Sequence, residues 1–166
     1  MHVRREASRT REVIGIVLIA HAPLASALAA AAAHVYTCAP ERAEAHVRTY
    51  DVPADVDPAD ALAQARALVK DADAGHGVVV LTDVFGATPS NIAAQLTEPG
   101  QVAVVAGVSL PMLLRALCYR DGRLADTVDK ALAGGAQGVL QVSSTPPQTQ
   151  RPRGVPGIDP ARLHDQ

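Results

Sequence analysis

Residues 13–23, Val-Ile-Gly-Ile-Val-Leu-Ile-Ala-His-Ala-Pro, decide the fold of this chain. The unbroken apolar run at 13–20 is typical of a strand that is buried on both faces of a parallel sheet. Because proline is tolerated in the first turn of a helix, the segment predicts a strand, a turn that carries His21, and a helix. In open α/β sheets, ligands bind where strands end and helices begin. His21 is therefore a candidate nucleophile.

The same alternation of strand and helix continues along the chain. Further strands are predicted at 46–52, 77–82 and 102–106. The helices are predicted to begin near Pro23, Asp57, Pro89, Ser109 and Leu124. We expect Gly134-Gly135 to end the last helix and residues 138–142 to form a short fifth strand.

Strands rich in Val, Ile and Leu that alternate with helices predict an α/β fold with a mostly parallel sheet covered on both faces. With right-handed crossovers, the common arrangement is the flavodoxin-like doubly wound sheet with strand order 2-1-3-4, which makes strands 1 and 3 neighbours. His21 follows the first of these strands and Asp83 follows the other. We therefore expect the two side chains to face each other across one crevice.

A histidine beside a carboxylate is suited to nucleophilic chemistry. A carboxylate that accepts a bond from one ring N–H fixes the tautomer and leaves the other nitrogen free to attack. Phosphoryl transfer fits this pair, because its transition state needs positioning and anion contacts more than covalent help. Thr88 is expected to be the N-cap of the helix that includes Pro89, where free amides bind phosphate. The alternatives are that His21 is structural and that Asp83 and Thr88 serve only as caps.

Composition narrows the function classes. The chain has 166 residues, 48% of them hydrophobic and 2% aromatic, and a formal charge of −2. One domain of this size is expected, and the charge argues against nucleic acid or an anionic membrane surface as the main partner. Cys38 and Cys118 lack metal-site spacing and are expected to be reduced, buried residues of a cytoplasmic protein. No nucleotide-binding or GxSxG motif occurs, so we expect no cofactor and no metal.

The two ends of the chain differ from the body. Residues 1–12 are polar and basic, and residues 143–166 are rich in Pro, Gln, Arg and Gly without periodicity. Both are expected to be disordered, which leaves 13–142 as the domain.

The remaining residues of interest carry weaker signals. His34, His46 and His76 are expected to be structural or exposed. Phe85, the single phenylalanine, follows Asp83 in the loop. It has two interpretations, which are local packing and an apolar contact for a docking partner.

Three segments of the chain resemble the enzyme IIA domain of the mannose family of the bacterial phosphoenolpyruvate-dependent sugar phosphotransferase system. They are 15–24 (Gly-Ile-Val-Leu-Ile-Ala-His-Ala-Pro-Leu), 79–91 (Val-Val-Leu-Thr-Asp-Val-Phe-Gly-Ala-Thr-Pro-Ser-Asn) and 106–113 (Ala-Gly-Val-Ser-Leu-Pro-Met-Leu). The patterns D-x-x-G-x-[ST]-P-x-N and G-V-x-L-P-M-L are specific in combination. The resemblance covers about residues 13–142.

The resemblance implies roles for five residues. His21 would be the phosphorylated histidine and Asp83 the carboxylate that orients it. Gly86, Ala87 and Thr88 would line the phosphate site, where the family often has serine in place of the threonine. The family also often has glycine directly after the histidine, whereas this chain has Ala22 and then Pro23. This departure bears on partner choice and leaves the nucleophile in place.

The resemblance also implies partners. The phosphocarrier protein HPr would phosphorylate the histidine, and a separate IIB protein would receive the phosphoryl group, with peripheral association with a membrane IIC/IID complex. A homodimer that exchanges residues 138–142 between subunits would be expected. Two alternatives remain: a regulatory module whose phosphorylation state controls binding to a target, and a phosphoryl-transfer subunit of a dihydroxyacetone kinase.

Overall fold

The computed structural model describes residues 13–36 and 44–142. Its strands are β1 (Gly15–His21), β2 (Val47–Val52), β3 (Val78–Thr82) and β4 (Val102–Ala106). Its helices are α1 (Leu24–Val35), α2 (Pro58–Ala72), α3 (Thr88–Ala94), α4 (Leu110–Tyr119) and α5 (Leu124–Gln137). The predicted N-terminal extension, Cys38 and the predicted C-terminal tail lie outside the described residues.

The four strands form one parallel sheet with the order β2-β1-β3-β4, which confirms the predicted α/β topology. In the central register, Ile19 of β1 pairs with Tyr50 of β2 on one side and with Thr82 of β3 on the other. Because all strands run the same way, their last residues lie at one edge of the sheet, which we call the carboxyl edge. His21 and Asp83 both belong to this edge.

Alternate residues of β1 enter two separate apolar cores. Ile16 and Leu18 pack in the core formed with α1, α4 and α5, and Val17 and Ile19 pack in the core formed with α2 and α3. The helices contribute mainly alanines to both cores, in agreement with the low aromatic content. Small side chains allow the helices to approach the sheet closely.

Gly15 shows how close this approach is. A Cβ atom at this position would lie 2.4 Å from the carbonyl oxygen of Ala72, the last residue of α2. Main-chain atoms of a packed helix do not move away at low cost, so only glycine fits here.

The Gly134-Gly135 pair lies inside α5, so the prediction that it ends the helix is wrong. A Cβ atom on Gly134 would lie 2.3 Å from Cγ of Arg115, and one on Gly135 would lie 2.7 Å from Cε of Met112. The two glycines are therefore contact positions against α4. Their packing role outweighs the tendency of glycine to weaken a helix.

The predicted fifth strand is also absent from the described single chain. Val139, Leu140 and Val142 follow α5 without strand pairing and are 84%, 69% and 87% exposed. A strand forms only when another strand supplies its hydrogen bonds, and α5 continues to Gln137, past the predicted end at Gly134-Gly135. The expectation that Cys118 is buried is wrong as well, because its side chain is exposed on α4.

Within the described ranges, no helix has both the length and the apolar character needed to cross a membrane.

The close contact at Gly15 leads to a stability prediction. Gly15→Ala should lower the free energy of unfolding by about 1–3 kcal/mol, because the added methyl group overpacks the contact with the Ala72 carbonyl. Urea unfolding followed by circular dichroism measures this. Gly122→Ala is the matched control, since its Cβ would lie 3.4 Å from the nearest atom, an ordinary contact. Equal stabilities of the two variants would contradict the proposed packing constraint.

Candidate functional site

The side chains of His21 and Asp83 are in direct contact at the carboxyl edge. His21 is the last residue of β1, and Asp83 directly follows β3, the strand beside it. Nδ1 of His21 lies 2.7 Å from Oδ2 of Asp83, and the backbone N–H of His21 donates to the same oxygen at 2.9 Å. The carboxylate therefore holds both the ring and the main chain of the histidine.

The two partners differ in exposure. The His21 side chain is 50% exposed, whereas that of Asp83 is 9% exposed. With Nδ1 bonded to the carboxylate, Nε2 is the ring nitrogen left for an incoming group. The arrangement leaves the imidazole half exposed, with one ring nitrogen able to act as a nucleophile, and keeps the carboxylate that bonds to the other nitrogen largely buried.

Asp83 is surrounded by hydrogen-bond donors. Its Oδ1 accepts from the backbone N–H of Val84 at 2.8 Å, and its carbonyl oxygen accepts from the N–H of Gly107 at 2.7 Å. Burial raises the pKa of the Asp83 carboxyl, but the hydrogen bonds from His21 and Val84 outweigh burial and hold this pKa below its usual value. Asp83 is therefore ionised at neutral pH and accepts the Nδ1–H bond as a carboxylate.

The loop after Asp83 is a tight turn. The N–H of Ala87 donates to the carbonyl of Val84 at 3.1 Å, and Gly86 has a φ of +84°, which favours glycine. The side-chain amide of Asn91 donates to the carbonyl of Gly86 at 3.1 Å and ties the turn to α3. Asn91 is the last residue of the D-x-x-G-x-[ST]-P-x-N pattern, and no role was predicted for it from the sequence. Its spacing of five residues from Gly86 was the available signal.

Thr88 is not the N-cap of α3, as was predicted. The N-cap is Ala87, which is extended with ψ 171° and makes no side-chain cap bond, and Thr88 is the first helical residue. The turn at Val84–Ala87 ends one residue earlier than expected, so the helix also begins earlier. Among the described residues, the backbone N–H groups of Gly86 and Thr88 have no acceptor. Both groups are therefore available to donate to the oxygens of an anion.

A β2 residue that the sequence did not single out supports the first loop. Oδ1 of Asp51 accepts from the backbone N–H of Ser26 at 3.1 Å, in the first turn of α1. The N–H of Ala22 donates to the carbonyl of Val52 at 3.1 Å. These bonds fix the chain on both sides of Pro23 against β2.

The loops at the carboxyl edge are acidic. Residues 22–23, 53–57, 83–87 and 107–109, which follow the four strands, contain no lysine or arginine. They contain three aspartates, Asp55, Asp57 and Asp83. Among the described residues, no group of three or more His, Cys, Asp or Glu side chains could hold a metal ion.

The other histidines of the described chain lie away from this site. His34 is near the end of α1, His46 precedes β2 and His76 precedes β3, so all three belong to the opposite edge of the sheet. Of the histidines in residues 13–36 and 44–142, the topology thus brings His21 alone to the carboxyl edge.

Comparison with solved structures agrees on the fold. The mannose/sorbose-specific IIA subunit of the phosphotransferase system from Enterococcus faecalis superposes with a TM-score of 0.66 at 23% identity, covering 79% of this chain and 96% of that one. The phosphotransferase component EIIA from Streptococcus agalactiae gives 0.65 at 23% identity, covering 77% and 96%. The PTS IIA protein associated with the fucose utilization operon of Streptococcus pneumoniae gives 0.64 at 21% identity, covering 78% and 93%.

Sequence comparison identifies the family. The PTS system fructose-specific EIIA component of Bacillus subtilis (strain 168) is 43% identical over 54 residues, which are 32% of this chain and 37% of that protein. The family model described as "PTS system fructose IIA component" matches residues 15–132, from the start of β1 into α5. Since this match spans well over half of the chain, the protein belongs to the fructose and mannose enzyme IIA family of the phosphotransferase system.

Proposed function

We propose that this protein is a histidine phosphoryl carrier that accepts a phosphoryl group from phosphorylated HPr on Nε2 of His21 and passes it to a separate IIB protein. The observation that carries the proposal is the 2.7 Å contact between Nδ1 of His21 and Oδ2 of Asp83 at the carboxyl edge. Family membership supports phosphoryl transfer as the chemistry. The site would work in the cytoplasm, and the carrier would associate peripherally with a membrane IIC/IID complex through its IIB partner.

The transfer step follows from the ring's hydrogen bond. The lone pair on Nε2 attacks phosphorus, and the P–N bond to the donor's histidine breaks as the donor imidazole leaves in neutral form. His21 keeps its Nδ1 proton, so the phosphorylated ring is positively charged. The ionised carboxylate of Asp83, at 2.7 Å from Nδ1, offsets that charge. In the second transfer, a nucleophile of the IIB protein attacks phosphorus, and the imidazole of His21 leaves in neutral form.

The turn after Asp83 would bind the phosphoryl oxygens. In this proposal the N–H groups of Gly86 and Thr88 and the exposed Thr88 hydroxyl donate to the oxygens. Ala87 acts through the shape of the turn, because its own N–H is bonded to the Val84 carbonyl. Fixed donors of this kind suit a transition state whose charge lies on the phosphoryl oxygens.

A regulatory role would use the same chemistry with a different outcome. A phosphoryl group on His21 would add negative charge to an edge that already carries Asp55, Asp57 and Asp83 and lacks cationic side chains in its loops. A target protein would then bind the two forms differently. Transfer of the phosphoryl group from His21 to a IIB protein would distinguish sugar transport from this regulatory alternative. Transfer to dihydroxyacetone kinase subunits would instead identify the protein as a phosphoryl-transfer subunit of that kinase.

We also propose that the protein forms a homodimer by exchange of residues 138–142. In the described chain β4 is an edge strand, and only its first residue, Val102, is paired on the outer side, with Glu98. Open strand edges invite pairing with another chain. The exposed Val139, Leu140 and Val142 supply an apolar segment that can pair there.

The first functional prediction concerns His21. Incubation with phosphoenolpyruvate, enzyme I and HPr should place acid-labile phosphate on the wild-type protein and none on His21→Ala, because Nε2 is the acceptor. Labelling is followed with radioactive phosphate. His76→Ala, which alters an exposed histidine at the opposite edge, should label as the wild type does. Wild-type labelling of His21→Ala would contradict the proposal.

The second functional prediction concerns Asp83. Asp83→Asn should fold but accept phosphate more slowly by a factor on the order of 10²–10⁴, since an amide neither fixes the tautomer nor offsets the ring charge. Rapid-quench labelling gives the rate. Asp129→Asn, an exposed carboxylate replacement on α5, should keep the wild-type rate. Unchanged kinetics in Asp83→Asn would reduce Asp83 to a structural role.

The third functional prediction concerns the dimer. The full-length protein and a form that lacks residues 143–166 should both be dimers, whereas removal of 138–166 should give monomeric or insoluble protein because the exchanged segment is lost. Size-exclusion chromatography with light scattering at micromolar concentration measures this. A monomeric full-length protein would refute strand exchange and leave the phosphoryl-transfer proposal intact, since His21 and Asp83 belong to one subunit.

A further inference from the structure

Phe85 is displayed to solvent. Its side chain is 87% exposed, and that of the preceding Val84 is 61% exposed. Phe85 occupies the second position of the turn closed by the bond from Ala87 N–H to the Val84 carbonyl. Local packing, one of the two interpretations that the sequence left open, is therefore excluded in the described chain. A large aromatic side chain held outward on a fixed turn is typical of a contact for another molecule.

Phe85 lies two residues after Asp83, whose carboxylate holds the ring of His21. The N–H of Val84 is bonded to Oδ1 of Asp83, whose Oδ2 holds the ring of His21. Leu24, three residues after His21, is a further exposed apolar side chain at the same edge, with 38% exposure. We call Leu24, Val84 and Phe85 the docking patch. A protein that brings phosphorus to bonding distance from Nε2 approaches the same edge of the sheet, where these three side chains are exposed.

The charge of the carboxyl edge indicates which chemical groups the docking surface of the partner must carry. The loops at this edge contain three aspartates and no lysine or arginine. A partner that carries a phosphoryl group therefore needs cationic groups of its own to approach this edge, together with an apolar area that covers the patch.

We propose that Phe85 is the apolar anchor by which the phosphoryl-donor protein docks on this chain. The inference rests on the proposed function and adds the recognition residue for its donor. The donor surface would combine an apolar depression for the phenyl ring with a cationic rim around its phosphohistidine. Phe85 takes no part in the transfer step itself, because a phenyl ring can neither attack phosphorus nor donate or accept a proton.

The test compares a protein donor with a chemical donor. The rate of labelling of the wild type and of Phe85→Ser is measured at increasing concentrations of phosphorylated HPr. The same two proteins are also labelled with phosphoramidate, a small molecule that transfers its phosphoryl group to a ring nitrogen and releases ammonia. We expect the KM for phosphorylated HPr to rise roughly tenfold or more, as for an aromatic interface anchor. We expect kcat and the phosphoramidate rate to stay within about twofold, because the donor binding energy alone is changed.

Two controls make the result specific. Val35→Ser removes an apolar side chain that is 53% exposed at the end of α1, on the opposite edge, and should leave the KM unchanged. Thermal unfolding should give the same midpoint for all three proteins, since neither Phe85 nor Val35 is in a core.

Each other outcome overturns the docking proposal in a distinguishable way. A Phe85→Ser protein with the wild-type KM for phosphorylated HPr would show that the donor does not use this side chain. A fall in the phosphoramidate rate would show that Phe85 acts on the geometry of the site instead of on docking. A wild-type protein that phosphoramidate labels and phosphorylated HPr does not would contradict the proposed donor, and with it the docking of that donor.

Discussion

The burial of β1 on both faces is the constraint on which the rest of the structure depends. Five consecutive residues of this strand are 0% exposed: Ile16, Val17, Leu18, Ile19 and Ala20. A slip of one residue in the pairing with β2 or β3 would exchange the side chains that enter the two cores, so the register is strongly specified. The same register fixes His21 opposite the end of β3. Packing energy in the cores therefore determines the geometry at the reactive edge.

Close packing through small residues is how the chain builds this arrangement with few aromatic side chains, of which Tyr50 lies in a core. Gly15 allows the end of α2 to pack closely against the start of β1. Gly134 and Gly135 allow α4 to pack closely against α5. Gly15 lies against the Ala72 backbone, and Gly134 and Gly135 lie against the side chains of Arg115 and Met112, so the role of these glycines is to leave space. In these cores, short distances between helices and strands provide the packing contacts that bulky side chains provide in other domains.

The sequence predicted most of the fold because its strands are strongly apolar and four of the five described helices carry proline or a cap residue at their starts. The strand order and the meeting of His21 with Asp83 followed from that pattern. The errors arose where contacts distant in sequence decide the outcome. Gly134-Gly135 suggested a helix end by local preference, but contact with α4 requires glycine inside the helix. The segment at 138–142 carries the composition of a strand, yet a strand also needs a partner, which the sequence does not specify.

At the proposed site, the sequence predicted the contact between His21 and Asp83 and missed part of its support. Asn91 holds the Gly86 carbonyl and Asp51 holds the Ser26 amide, and neither role has a signal in local spacing strong enough to separate it from ordinary polar residues. Thr88 was misplaced by one position, because the exact end of a turn depends on backbone angles at Ala87 and Gly86.

The absence of lysine and arginine from the four carboxyl-edge loops has a thermodynamic consequence for a relay. Under the proposed function, the phosphoryl group on His21 is held by neutral amide and hydroxyl donors and by no positive side chain of those loops. A cationic clamp would deepen the energy well of that state and slow onward transfer, whereas neutral donors leave it shallow. The free energy stored in the P–N bond then passes through this protein with little loss, and the direction of flow is set by the concentrations of the proteins on either side.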